Sequence, residues 1–483
     1  LIDHISIEAQ YKPTGVRRFE GNPFIEALPK LEVSKDAILD RLAHYPTPPT
    51  KADRKKSELV RAAEVGCINE IVYPFAEYKR AGVNLTMNIR ESYVARNPMS
   101  AEDAQRRQAI ATAADPAADL QMPRNWISSA KGQTLLGISG SGKTTFATAF
   151  SLPYQVVIEH REYKGQKLTC RQIPWVSVRM SHDATLKSLC LQFFDVVDHI
   201  LGNTNYQRHA RSVRSISRMV ILIAQVATAV SIGVIFIDEV QNLKAANGTN
   251  ATFVLNLFSE IIERAGVSLV IAGTPALASV IDENVRNLRK LNSGGESNFV
   301  QMRYGDPEFD AFCDIYWDYQ FVKAPVRLDK EIRQAWYRAG AGNPAFTAMA
   351  FMLAQRNEIG GREVIDAAAF DRVAKIDMAI LEPAIAALRT GKAALLRDFD
   401  DLLFKEGCTA LRRMIAWSDG DEPSAVTRDE FPELDDTAAP ETANHSPTIR
   451  KKGSNPSSKR RSNAKSSSSS YDDELPTEDP TLR

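Results

Sequence analysis

Cysteine is scarce in this 483-residue chain: Cys67, Cys170, Cys190, Cys313 and Cys408 are scattered and never fall in Cys-x-x-Cys spacing. That excludes a zinc ribbon or a disulfide framework and fits a reducing compartment. Net charge is also absent, because sixty Lys and Arg residues balance sixty Asp and Glu residues. No global field draws the chain to nucleic acid or to an anionic membrane, so any DNA contact must come from a local patch. Long apolar runs are missing too. Met219–Val230 and Val234–Ile237 are of core length, well short of the roughly eighteen residues of a membrane span. The first residues hold no basic stretch leading into an apolar one. A cytoplasmic protein with no membrane partner is therefore expected. What remains is ordinary globular composition, 44% hydrophobic, with length enough for two or three domains.

The organisation follows from changes in pattern. Residues 1–125 are mixed and partly helical, with proline punctuation at Pro46-Thr47-Pro48-Pro49 and a basic cluster from Lys51 to Lys56. Over 126–303 strand-like runs alternate with helical ones, the signature of an α/β core with a parallel sheet. The expected strands are Thr134–Ile138, Gln155–Glu159, Trp175–Arg179, Gly233–Ile237 and Val267–Ala272, with a polar hairpin tip at Tyr163–Lys167. Residues 304–417 read as a helical lid, with segments near Pro307–Tyr319, Lys330–Ala339, Pro344–Gln355 and Ala367–Leu388. Residues 418–483 turn to Asp, Glu, Pro, Ser and Lys, leaving too little apolar surface to offset ordering entropy, so a disordered tail is expected. Its basic stretch, Arg450–Lys452 to Lys459–Arg461, suits either a solvated tail or a DNA contact.

The chemistry is concentrated in Gly137-Ile138-Ser139-Gly140-Ser141-Gly142-Lys143-Thr144, a complete G-x-x-x-x-G-K-[ST] phosphate loop followed by Thr145. Its glycines turn backbone N–H groups toward phosphate oxygens, Lys143 reaches the β and γ phosphates, and Thr144 binds Mg²⁺. The apolar strand before it and the helical pattern after it supply the required strand–loop–helix order. A second element, Gly233-Val-Ile-Phe-Ile-Asp238-Glu239, is a strand ending in two acids. Asp238 is expected to organise Mg²⁺ and Glu239 to orient and deprotonate the attacking water. A second acid suits hydrolysis of ATP better than phosphate transfer to a hydroxyl. No N-K-x-D motif supports a GTPase. Leu291-Asn-Ser-Gly-Gly-Glu296 lies after the acid strand, unlike the ABC signature, and reads as a flexible loop.

A third buried strand ends in Gly273-Thr274-Pro275. Thr274 suits two roles: contact with the water or γ-phosphate, or the N-cap of a helix with Pro at its first position. Arg286 and Arg289 follow on a short segment, where one is a candidate arginine finger for a neighbouring subunit. Gly340-Ala-Gly-Asn343-Pro344 reads either as a closing lid element or as a helix stop and start.

Taken together, these elements resemble an AAA+ ATPase of the initiator-like branch. Asn22-Pro-Phe-Ile-Glu-Ala-Leu-Pro29, Tyr93-Val-Ala-Arg96-Asn97-Pro98, Gly140–Thr145, Asp238-Glu-Val-Gln-Asn-Leu243 and Glu382-Pro-Ala-Ile-Ala-Ala-Leu-Arg389 resemble the TnsC family, the ATP-dependent regulators of Tn-seven type transposition. The resemblance runs from about Gly15 to Leu403. It implies ATP-dependent oligomerisation on double-stranded DNA as rings or filaments, recruitment by a target-selection protein, activation of a transposase, and reset by hydrolysis.

Overall fold

The computed structural model describes residues 4–113, 122–123, 126–213, 215–245, 248–277 and 289–391. The tail expected over 418–483, the end of the expected lid and Arg286 lie outside these residues.

Strands β2 (Gly132–Gly137), β5 (Trp175–Arg179), β6 (Val234–Asp238), β7 (Ser268–Gly273) and β8 (Glu296–Phe299) form one sheet in the order β5-β6-β7-β2-β8, every pair parallel. A parallel sheet is covered on both faces, which is why its central strands β6 and β7 read as near-continuous apolar runs. On β6, Ile235 and Ile237 face a core built with the helices Leu186–Leu201, Ile216–Ala229 and Gly248–Glu260. Val234 and Phe236 face the opposite core, with the helices Ala76–Val94 and Lys143–Ser151. The helix Ala76–Val94 buries Tyr78, Ala81, Leu85, Ile89 and Tyr93, the three-and-four spacing of a stripe laid across the sheet.

Two expectations need correcting. The Gln155–Glu159 strand does not join the parallel sheet. It forms as β3 (Val156–Tyr163), in the middle of a separate sheet between β1 (Ile5–Glu8), which pairs parallel, and β4 (Gln166–Gln172), which pairs antiparallel. Its mixture of buried and exposed positions suits a sheet with one wet face. The hairpin tip is present, turned by Lys164 and Gly165, both at positive φ. The second correction concerns Leu291–Glu296, which is no flexible loop but a turn delivering β8 into the sheet. Gly294 is packed so closely that an added Cβ would fall 2.4 Å from Asn88 Nδ2. That amide in turn donates to Gly294 O at 3.1 Å.

The segments Asn22–Pro29 and Tyr93–Pro98 meet. Asn22 Nδ2 donates to Tyr93 O at 2.7 Å and Asn97 Nδ2 to Gly21 O at 3.0 Å. Phe24 is buried between Tyr93 and His160. These residues secure the N-terminal chain to the sheet. Burial pushes the His160 imidazole down to about 4, so it is neutral, between the Tyr11 hydroxyl and the Gln172 side chain.

The helical part contains Pro307–Trp317, Lys330–Gly340, Pro344–Glu358, Ala367–Lys375 and Glu382–Thr390, packed around Trp317, Trp336, Phe351 and Phe370. The helix expected over Ala367–Leu388 is two helices, because Pro383 lacks an N–H and is accommodated only in a first turn. The N-terminal chain also reaches this part: Val65, Ile68 and Ile71 enter its core, and the fully buried Arg61 side chain pairs with Glu363. A strap from His44 to Phe75 thus lies on the helices, before the chain crosses to the sheet at Ala76.

Candidate functional site

β2 ends at the sheet's carboxyl edge, and the chain turns through Gly140 (φ 79°) and Gly142 (φ 93°) into the helix Lys143–Ser151. Only glycine adopts these angles without strain, and there is no room for more. A Cβ on Gly142 would lie 2.5 Å from the Tyr78 hydroxyl, which donates to Gly142 O at 2.9 Å. Burial pushes the Tyr78 phenol far up, so it stays protonated and keeps that bond. Lys143 is 8% exposed, and its ammonium donates to Gly137 O at 2.7 Å and Ile138 O at 3.0 Å.

Thr144 Oγ1 donates to Asp238 Oδ2 at 2.7 Å. This bond joins the loop to the end of β6, although ninety-four positions separate the two residues. Glu239 follows at φ 59°, the left-handed region that costs a residue with a side chain roughly 1–2 kcal/mol. Its N–H donates to Asp238 Oδ1 at 2.9 Å. The Glu239 carboxylate receives the Gln241 amide, and Arg179 Nη2 lies 3.4 Å from its other oxygen. Gln241 Oε1 in turn accepts the Thr274 N–H at 3.2 Å. One glutamine therefore ties the second acid to the end of β7. Thr274 is 3% exposed and its hydroxyl has no hydrogen-bond partner, so the side-chain N-cap is not made.

These groups open on a cavity of about 650 Å³. Its polar wall holds Ser139, Gly140, Gly142, Lys143, Thr144, Thr145, Asp238, Glu239 and Thr274. Gly137, Ile138 and Ser141 sit behind that wall, shaping the turn. The opposite wall is apolar and comes from two distant segments: Ile68, Ile71, Tyr73 and Phe75 of the strap, and Phe312, Tyr316, Met349 and Met352 of the helices. Asn69 adds a polar group there. The helical part also touches the loop directly. Asn343, fully buried, donates from Nδ2 to Ser139 O at 2.9 Å while its Oδ1 caps Ala345 and Phe346, and Ala345 N donates to Gly140 O at 3.2 Å. The helix stop and start at Gly340–Pro344 is present, and the segment touches the loop through Asn343 and Ala345.

Arg289 is exposed and lies outside the cavity wall. Arg179, Gln241 and the strap residues escaped the sequence reading. Arg179 carried a signal, as a base at the carboxyl end of a strand, and Gln241 stood inside the quoted acid motif. Nothing marked Asn69 or Tyr73.

Residues 128–281 match the AAA domain family. No curated protein matches the chain. Among solved structures it is similar to a Walker-type ATPase of Pyrococcus abyssi, at 11% identity over 59% of this chain and 83% of that one, with TM-score 0.37. It is also similar to two Aeropyrum pernix proteins. One is ORC2 in ADPNP and ADP complexes, at 12% identity over 51% and 62% of the chains, with TM-score 0.34. The other is ORC1 in complex with DNA, at 15% identity over 62% and 69%, with TM-score 0.34. At such TM-scores these likenesses carry no functional argument. The parallel sheet, its helices and the loop are those of an AAA+ P-loop NTPase fold.

Proposed function

We propose, from this AAA+ P-loop fold, that the chain is an ATP-hydrolysing switch that assembles with ATP on duplex DNA, as the resemblance to the TnsC family implies. The observation that carries hydrolysis is the convergence of Thr144, Asp238 and Glu239 on one cavity with the phosphate loop. The Thr144 hydroxyl and the Asp238 carboxylate are hard oxygen donors of the kind Mg²⁺ takes. Mg²⁺ at a site of this kind is held largely by phosphate and water oxygens, with few protein donors. When bound, that ion supplies charge neutralisation at the phosphates.

The chain's own residues do the rest. Loop N–H groups and the Lys143 ammonium bind and orient the phosphates. Glu239, held by Gln241, takes the proton of the attacking water, and the unpartnered Thr274 hydroxyl is available to it or to the terminal phosphate. Ile68, Ile71, Tyr73 and Phe75 give the base an apolar wall, with Asn69 as its polar contact. Arg289, exposed and outside its own protomer's cavity, serves a second copy or none, and Arg286 shares that candidacy. The finer roles in this reading are a ring or filament on DNA, recruitment by a target-selection protein, and activation of a transposase.

The test pairs two variants with electron microscopy on duplex DNA and a slowly hydrolysed ATP analogue. Lys143→Ala should lose nucleotide binding and assembly, and Glu239→Gln should keep assembly while phosphate release falls by about two orders of magnitude or more. Parental turnover in Glu239→Gln would remove it as the base. Absence of ATP-dependent duplex binding in low salt would favour a remodelling or signalling ATPase without DNA, the reading that the balance of sixty acids and sixty bases supports.

A further inference from the structure

The zero net charge conceals a long interval of one sign. Between Asp198 and Asp238 the sequence contains no Asp or Glu. Within it the helix Asn205–Ser212 presents Arg208, His209, Arg211 and Ser212 to solvent, flanked by exposed Thr204 and Ser215. Among the described residues no carboxylate pairs with Arg208 or Arg211. Arg208 donates only to the Thr204 hydroxyl, at 3.3 Å. Among the described residues, two other basic clusters are partly paired with acids or carbonyls. In the Lys51–Lys56 cluster, Lys56 pairs with Asp53 and Glu64 and Arg54 donates to Gln320 O. On the β3–β4 hairpin, Arg161, Lys164 and Arg171 pair with Glu8, Glu26 and Glu159.

The helix is also held rigidly. Asp198, 3% exposed, accepts the N–H groups of Tyr206 at 3.1 Å and Gln207 at 2.7 Å, capping its first turn with a charge. Gln207 Nε2 donates to Asp195 at 2.7 Å, and Ala210 is fully buried in the core beneath. The two acids that precede the helix in sequence are thus engaged in fixing it. Arginines three positions apart lie on one helix face, about 5–6 Å between Cβ atoms.

We propose that the exposed face of Asn205–Ser212, with Arg208 and Arg211 as its charges, is the surface that binds the phosphate backbone of duplex DNA; this rests on the DNA-bound reading above. Free guanidiniums beside hydroxyls offer donors only, the chemistry that positions a protein on a backbone without reading bases. Binding there is tolerant of sequence and steeply dependent on salt.

The test is fluorescence anisotropy of a labelled random-sequence duplex with the full chain and a slowly hydrolysed ATP analogue, titrated across salt concentrations. Each lost phosphate contact lowers the slope of log K against log salt by about 0.9. Arg208→Glu/Arg211→Glu should therefore lose about two units of slope and bind about tenfold or more weaker near 0.1 M salt, with nucleotide binding retained. Arg208→Lys/Arg211→Lys should keep the slope. If the parent binds duplex and the Glu variant matches its slope, this surface is wrong while the DNA-bound reading survives. No duplex binding by the parent at low salt overturns both. Tighter binding of polyglutamate than of duplex, lost in the Glu variant, assigns the face to an acidic protein and overturns the proposal.

Discussion

Arg61 is a sensitive point for coupling the strap to the helices. Its side chain is fully buried, and its two terminal nitrogens hold Glu363, 14% exposed, at 2.7 and 2.6 Å. It also donates to Phe321 O at 2.9 Å and Lys56 O at 3.1 Å. Arg61→Ala strips both carbonyls and leaves Glu363 with the N–H groups of Gly360 and Lys323 and with the Lys323 ammonium at 3.6 Å. Removing one member of a buried pair costs about 3–5 kcal/mol, and the retained amide bonds favour the lower end, about 3 kcal/mol. Arg61 holds the Glu363 carboxyl well below the usual range, at about 2 against 4.5. Because the folded value is depressed, the stabilisation is complete above the unfolded value and is lost as pH falls toward 2. Urea unfolding followed by the fluorescence of the buried Trp317 and Trp336 should show a gap of about 3 kcal/mol between parent and variant at pH 7, narrowing below about 4.5. With Ile68 and Ile71 loosened, KM for ATP should rise while the rate at saturation changes little. A gap that stays constant with pH, or one under about 1 kcal/mol at pH 7, would refute the reasoning, since a pair worth so little behaves as a surface one.

Three further outcomes separate catalytic from structural roles. Thr274→Val removes a hydroxyl that has no partner, so stability should hold within about 1 kcal/mol while phosphate release falls about tenfold; a large loss of stability with normal release would make the residue structural. Asn343→Ala removes both the cap and the donor to Ser139 O, whereas Asn343→Ser can keep the cap alone. The Ser variant should recover about 1 kcal/mol of stability yet share the raised KM for ATP, and full recovery of KM would show that the loop contact does nothing. Gln241→Ala should lower the saturated rate with nucleotide affinity unchanged, because the amide touches Glu239 and not the loop; equal losses of both would place Gln241 in binding.

The legible parts of the site were those whose chemistry is local. A phosphate loop needs glycines, lysine and threonine in consecutive positions because one turn of backbone makes the cradle, so Gly137–Thr145 announced itself. Asp238 and Glu239 were legible because an apolar strand must stop at the sheet's edge, where its last side chains meet solvent and ligand. The apolar wall was illegible for the opposite reason. Ile68, Asn69 and Tyr73 lie on a strap whose sequence shows only that it is partly helical, and their place depends on Arg61 finding Glu363 three hundred and two positions away. β8 was misread because Ser-Gly-Gly signals a turn, and the turn was real. The four residues after it, Glu-Ser-Asn-Phe, carry no apolar alternation and become a strand because β2 supplies the partner.

The placement of the helix Leu186–Leu201 gives the basic face a physical relation to the acids. Gln192, Asp195 and His199 on that helix line a second cavity, about 680 Å³, whose far wall is Thr144, Arg179, Asp238 and Glu239. Asp195 and Asp198 also fix the basic helix through Gln207 and Tyr206. One rigid element therefore borders both the Arg179–Glu239 pair and the proposed backbone-binding face. Close-packed helices transmit displacement because they have few voids to absorb it. The helix Leu186–Leu201 and the acids face each other across that cavity, whereas the strap and Asn343 border the nucleotide cavity and the loop. In the DNA-bound reading proposed above, DNA and nucleotide would act on the two acids through different elements, so that each could bias the binding of the other.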